Sequence, residues 1–237
     1  MADFKTHIST SSVLGVGYAG GAFWYFYPEV PLPTAVLAGG VCGISGMLPD
    51  LDSDSGVPLR ESMAFAAAVV PMLLVGRLSR LGLSHETMIL TGALVYFLVR
   101  FVAAKMLKKY TVHRGMFHSI PAGLIFAEVA YLLYDNPNLA LRLYLAGGVL
   151  VGFMSHLMLD ELYSIEWYRG RMRFKKSFGT AIKFWSPKST WANVSTYVKL
   201  AILTFIVFND NNWMDRFQPH QQQIEHVTSQ VLDQIVR

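Results

Sequence analysis

Six apolar runs punctuate the chain, at about Ser12–Tyr27, Pro33–Leu48, Met63–Val75, Glu86–Ala104, Ile120–Tyr134 and Leu139–Leu159. Runs of this kind predict membrane helices, for which about 20 apolar residues are needed to cross. The runs from Pro33 and Met63 are the shortest for the task, and Pro71 predicts a kink in the second of them. A seventh run, Leu200–Phe208, is too short to span alone and lengthens only by reaching back through Val194 and taking in Lys199. The pattern predicts an all-α, polytopic membrane helix bundle of six or seven helices. Phe23-Trp24-Tyr25-Phe26-Tyr27 closes the first run like an interfacial aromatic belt. Gly15, Gly17, Gly20, Gly21, Gly39 and Gly40 predict close helix approach. Gly15-x-Gly17-x-x-Gly20 also fits a dinucleotide fingerprint, but neither a strand nor a βαβ unit surrounds it.

Composition agrees. Of 237 residues, 53% are hydrophobic and 15% charged, against about 25% charged in soluble domains, and mean hydropathy is +0.36. The single Cys42 lies in an apolar run and excludes a disulfide framework or thiolate cluster. The polar start, MADFKTHISTSS, has no cleavable signal pattern, so the first helix is expected to act as the insertion signal.

Basic residues set the orientation. With six spans, one side receives the N-terminus and the loops near 49–62, 105–119 and 160 onward. It carries Lys5, Arg60, Lys105, Lys108, Lys109, Arg114, Arg169, Arg171, Arg173, Lys175, Lys176, Lys183 and Lys188, while the opposite loops hold Arg77, Arg80 and Arg142. The positive-inside bias places the first side in the cytoplasm. Three regions follow: a bundle over 1–160, a basic cytoplasmic-face segment over 161–199, and a short apolar segment with a polar tail over 200–237. In the middle region Phe174, Phe178, Ile182 and Trp185 recur every three or four residues among Arg171, Arg173, Lys175, Lys176 and Lys183. That spacing predicts a basic amphipathic helix lying on the membrane face, for anchoring or for recruiting phospholipid or nucleic acid.

The chemistry gathers on that same side. His7 lies near the N-terminus. Asp50, Asp52 and Asp54 follow the second run in Leu48-Pro-Asp-Leu-Asp-Ser-Asp54. His113, Arg114 and His118 precede the fifth run, and His156 with Asp160 ends the sixth. His156 and Asp160 are one helical turn apart and so share a face. Imidazole and carboxylate donors together suit zinc, manganese or iron, and a set this large could serve one or two ions.

Each group also has a plainer reading. His7 could be a surface histidine. The aspartates could cap a turn, or form a calcium loop with Glu61 at its twelfth place, although the sixth place holds Ser55 rather than glycine. His118 could cap the fifth helix, and His156 with Asp160 could be a buried pair without metal. His85-Glu86, on the other side, reads as a helix start. Glu128, inside the fifth run, is an intramembrane carboxylate with no legible partner.

Thr6-His7, LPDLDSDSG, HRGMFHS and GFMSHLMLD, spread over residues 6–160, resemble the YdjM-like bacterial inner-membrane proteins, which are described as metal-dependent hydrolases and as LexA-binding. That family is similar at a distance to zinc-dependent phospholipase C and to fungal single-strand nucleases, helical enzymes with His and Asp metal ligands. The resemblance implies His7 as an early ligand, Asp50 or Asp52 as a bridging aspartate, His118 as a ligand, and His156 with Asp160 as the helical pair. His113 is a further ligand on the same ground. The soluble enzymes also bind metal through a processed N-terminal tryptophan. Here the start is Met1-Ala2-Asp3-Phe4, which departs from a trinuclear cluster.

Three functions are then open. The first is hydrolysis of a phosphoester, such as an anionic membrane phospholipid, by a water activated on one or two metals. In it Asp54 or Asp160 is the general base and Arg114 stabilises charge on the phosphoryl oxygens. The second is a metal-stabilised scaffold binding a cytoplasmic partner, a repressor-like protein or nucleic acid, through its basic segment. The third, an ion transporter, needs ligands at mid-membrane rather than at helix ends.

Overall fold

The computed structural model describes residues 3–26, 28–52, 57–106, 116–168, 171–175, 179, 181–187 and 189–210. Helix α1 (Phe4–Phe26) starts well ahead of the first apolar run. Asp3 is the cause: its carboxylate accepts from the Thr6 amide at 2.9 Å and its carbonyl from the His7 amide at 3.1 Å, which caps the helix and draws His7 into it. Helix α2 (Leu32–Ser45) carries Pro33 in its first turn, where a missing N–H costs nothing. A 3-10 turn, Leu48–Asp52, follows. Helix α3 (Val57–Arg80) runs on through Pro71. Helix α4 (His85–Phe97), capped by Ser84, continues as a π-helical stretch over Leu98–Ala103. Helices α5 (Ile120–Leu133) and α6 (Leu139–Leu162) are capped by Ser119 and Asn138. An antiparallel hairpin of β1 (Ile165–Tyr168) and β2 (Arg171–Phe174) leads to α7 (Thr190–Phe208), which Ser189 caps.

Two expectations change. The segment after α6 is not an amphipathic helix among its described residues. Phe174 ends β2, Ile182 and Trp185 lie in irregular chain, and Phe178 falls outside the described residues. Strand-forming Ile165, Trp167 and Tyr168 favour the hairpin, and Gly179 at φ 78° interrupts any helical path. The seventh run, by contrast, is a full helix of 19 residues. Its polar first half is helical because it has partners: Asn193 exchanges two hydrogen bonds with the Ser186 backbone, at 2.8 and 2.9 Å, and the Tyr197 hydroxyl donates to the Phe184 carbonyl. Among the described residues four helices, Leu59–Arg80, His85–Met106, Leu139–Leu162 and Thr190–Phe208, are long and apolar enough to cross a membrane. Helices α2 and α5 have 14 residues each. At about 1.5 Å per residue they fall short of a hydrocarbon core about 30 Å thick.

Chain direction alternates, so the N-termini of α1, α3, α5 and α7 meet the C-termini of α2, α4 and α6 at one end. Helix α6 is central and packs on α1, α2 and α5. The opposite end is locked by charge. Arg142, fully buried, donates to both carboxylate oxygens of Asp210 at 2.6 and 3.1 Å and to the Tyr131 carbonyl, with its guanidinium 3.9 Å above the Tyr131 ring. This pins the end of α7 to α5 and α6.

Close approach of α2 and α6 depends on Gly152. A β-carbon there would overlap the Cys42 carbonyl and the Ser45 hydroxyl. Backbone cannot swing aside, so G152A should lower stability by about 1–3 kcal/mol, read as a reduced thermal unfolding midpoint in detergent.

Candidate metal centre

Five side chains converge where the helix ends meet. His7 comes from the first turn of α1, Asp50 from the 3-10 turn, His118 from the residue ahead of the α5 cap, and His156 with Asp160 from the last turns of α6. Ser119, not His118, is the cap: its hydroxyl accepts from the Ala122 amide, which leaves the His118 ring free to turn inward. His7, His118, His156 and Asp160 are at most 3% exposed, whereas the Asp50 side chain is 19% exposed.

The donor atoms sit close together. His7 Nε2 lies 3.2 Å from Asp160 Oδ1, and His118 Nε2 lies 3.3 Å from Asp50 Oδ1. His156 Nε2 lies 3.7 Å from Asp50 Oδ1 and 3.6 Å from Asp160 Oδ2. The His7 ring stacks on His156, with centroids 3.6 Å apart and planes 12° from parallel, and His118 meets His156 edge-on at 5.5 Å. Around Asp50, burial pushes the carboxyl up. The neighbouring imidazoles of His118, His156 and His7 outweigh it and hold the group below its ordinary value. Asp50 is therefore ionised at neutral pH.

His156 decides the chemistry. Its Nδ1 is 2.7 Å from the Gly46 carbonyl, which can only accept, so Nδ1 carries a proton. In the neutral ring Nε2 is then a bare lone pair, and it faces two carboxylates without a hydrogen bond. His7 Nδ1 is likewise buried without a hydrogen bond among the described residues. Lone pairs facing carboxylates repel unless a cation lies among them. Zinc bonds of about 2.0–2.2 Å set tetrahedral donors roughly 3.4 Å apart, a spacing that the four separations bracket. The residues fit a divalent ion.

Two groups of three could hold one: His7, His156 and Asp160, and Asp50, His118 and His156, with the donor atoms of each group within 4.8 Å of one another. His156 belongs to both and has a single nitrogen left to offer. The groups are therefore halves of one centre. It has room for one ion with up to five donors, or for two ions of which one takes His156.

Asp52 closes the 3-10 turn, but its side chain is outside the described set, as are Asp54, His113 and Arg114. Glu61 pairs with Arg60 at the surface, which does not support a calcium loop. His156 and Asp160 are not a directly bonded pair, because His7 is nearer to Asp160. Glu128, half-buried on α5, accepts from the Thr204 hydroxyl of α7 at 2.6 Å. The Gly46 carbonyl could not be foreseen, since a main-chain acceptor has no side-chain signature. Glu161, beside Asp160, also escaped notice. Its carboxylate accepts from the Gly179 and Ala181 amides and fastens that loop under the centre.

Detergent-purified protein should contain one or two equivalents of zinc, manganese or iron by elemental analysis. H156A should retain at least tenfold less, as should an H118A/H156A double variant, with helical circular dichroism unchanged. Stoichiometric metal in H156A would exclude this centre.

No curated protein and no solved structure matches the chain. The model of the YdjM inner membrane protein family matches residues 1–213 of its 237, and the chain belongs to that family.

Proposed function

We propose that the centre holds one or two divalent ions, zinc foremost with manganese or iron as alternatives, and that the protein hydrolyses a phosphoester at the membrane surface. The observation that supports this best is the bare Nε2 of His156 between two carboxylates. His7, Asp50, His118, His156 and Asp160 are the ligands in this reading, with Asp52 and His113 as further donors from their position in sequence. A bound metal would supply Lewis acidity towards the phosphoryl oxygens and an activated water. In the reaction a water oxygen bonds to phosphorus, the bond to the leaving alcohol breaks, and that alcohol leaves with a proton. Asp54 or Asp160 takes the proton from water, and Arg114 meets the charge that builds on the phosphoryl oxygens. Lys5, Arg60, Lys105, Lys175 and Lys183 flank this end, so the positive-inside bias supports a cytoplasmic face.

A second reading keeps the metal and drops the turnover. The five donors come from four separate stretches of chain, so an ion would cross-link them as a scaffold, and exposed Arg173 and Lys175 could meet a repressor-like protein or nucleic acid. Metal-loaded protein should hydrolyse bis(p-nitrophenyl) phosphate, and chelation or D160N should cut turnover at least 100-fold. Full metal with no turnover on phosphodiesters, monoesters or phospholipids would favour the scaffold.

A further inference from the structure

Helices α3, α5 and α7 and the π-helical stretch enclose an apolar groove of about 420 Å³ beside the centre. The two share walls. Leu51, on the 3-10 turn that carries Asp50, lines the groove, and so does Phe117, next to His118. Almost all of the lining is apolar. Ser62, Thr196 and Lys199 are the exceptions.

Two of these polar groups lack a partner that the apolar walls could supply. Ser62, on α3, is fully buried, and its hydroxyl has no hydrogen bond among the described residues. Lys199, on α7, has no ion pair among the described residues, although it lies inside a helix long and apolar enough to span. Side chains on a helix lean towards its N-terminus, and α7 begins at the end where the metal centre lies. Lys199 is exposed, and a lysine so placed in a membrane helix lowers its cost by reaching back towards the headgroup level at that end. An acyl-sized apolar groove, a buried hydroxyl seeking an acceptor and an exposed cation on its lining match the parts of one amphiphile.

We propose that the groove takes one acyl chain of an anionic glycerophospholipid. The Lys199 ammonium meets its phosphate and the Ser62 hydroxyl donates to an ester carbonyl. The inference rests on the phosphoester reading for the fate of that lipid, while its test reads binding alone. The whole protein would be reconstituted in bilayers with chain-labelled nitroxide phosphatidylglycerol or phosphatidylcholine, and the motionally restricted fraction measured by electron paramagnetic resonance. Wild type should favour phosphatidylglycerol about fivefold. K199R should keep that preference and K199L should lose it. A66F, which fills the groove without touching charge, should release both lipids, with thermal midpoints confirming that each variant is folded. Equal restriction of the two lipids by wild type, or a preference that survives both K199L and A66F, would overturn the proposal. Selective lipid binding by protein that hydrolyses no phosphodiester would sink the hydrolase reading and leave the groove standing. Turnover of bis(p-nitrophenyl) phosphate without lipid selectivity would do the reverse.

Discussion

The distance between α2 and α6 governs the rest of the molecule. Gly152 leaves no side chain between α6 and the Cys42 carbonyl, so the two backbones touch. That contact carries the Gly46 carbonyl to within 2.7 Å of His156 Nδ1 and so fixes which nitrogen of the imidazole is bare. On the other face of α2, Gly39 admits Gly15 of α1 just as closely, and the His7 ring comes to rest on His156. In lipid there is no hydrophobic force to drive helices together, so close backbone packing at small residues takes its place. The ligand geometry is thus set by glycines that carry no chemistry themselves.

This explains which parts of the site could be read from sequence. Apolar runs located the helices because burial in lipid imposes composition directly. Helix ends were harder, because a run stops at the first polar residues while hydrogen bonding does not. Asp3 extends α1 back over His7, and Asn193 and Tyr197 anchor α7 well before its apolar half. The hairpin was hidden because Phe174, Phe178, Ile182 and Trp185 mimic a helical period, while β pairing depends on the partner strand. His156 and Asp160 were legible as a pair, since helical spacing dictates a shared face. Among Asp50, Asp52 and Asp54 sequence could not choose, because the direction of each carboxylate depends on a turn that has no periodicity.

The two ends of the bundle handle charge in opposite ways. At the far end Arg142 is buried completely, yet Asp210 and the Tyr131 carbonyl take up its donors, and the guanidinium lies over an aromatic face. A buried charge is tolerable when so fully met. At the near end acceptors face an acceptor, as two carboxylates close on a bare nitrogen. The same chain that satisfies a buried guanidinium leaves this cluster short of positive charge, and that contrast makes the near end suited to a cation.

Access separates a working centre from a staple. Structural zinc sites are closed, usually by four ligands, whereas catalytic ones keep a position open. Four of the five donors here are sealed. Asp50 alone of the five shows appreciable exposure, at 19%. Among the described residues, the more open side therefore lies at the Leu48–Asp52 turn that carries Asp50. That turn and the residue ahead of His118 contribute Leu51 and Phe117 to the groove that Lys199 also lines. The groove and the more exposed side of the five donors therefore share the segments that carry Asp50 and His118.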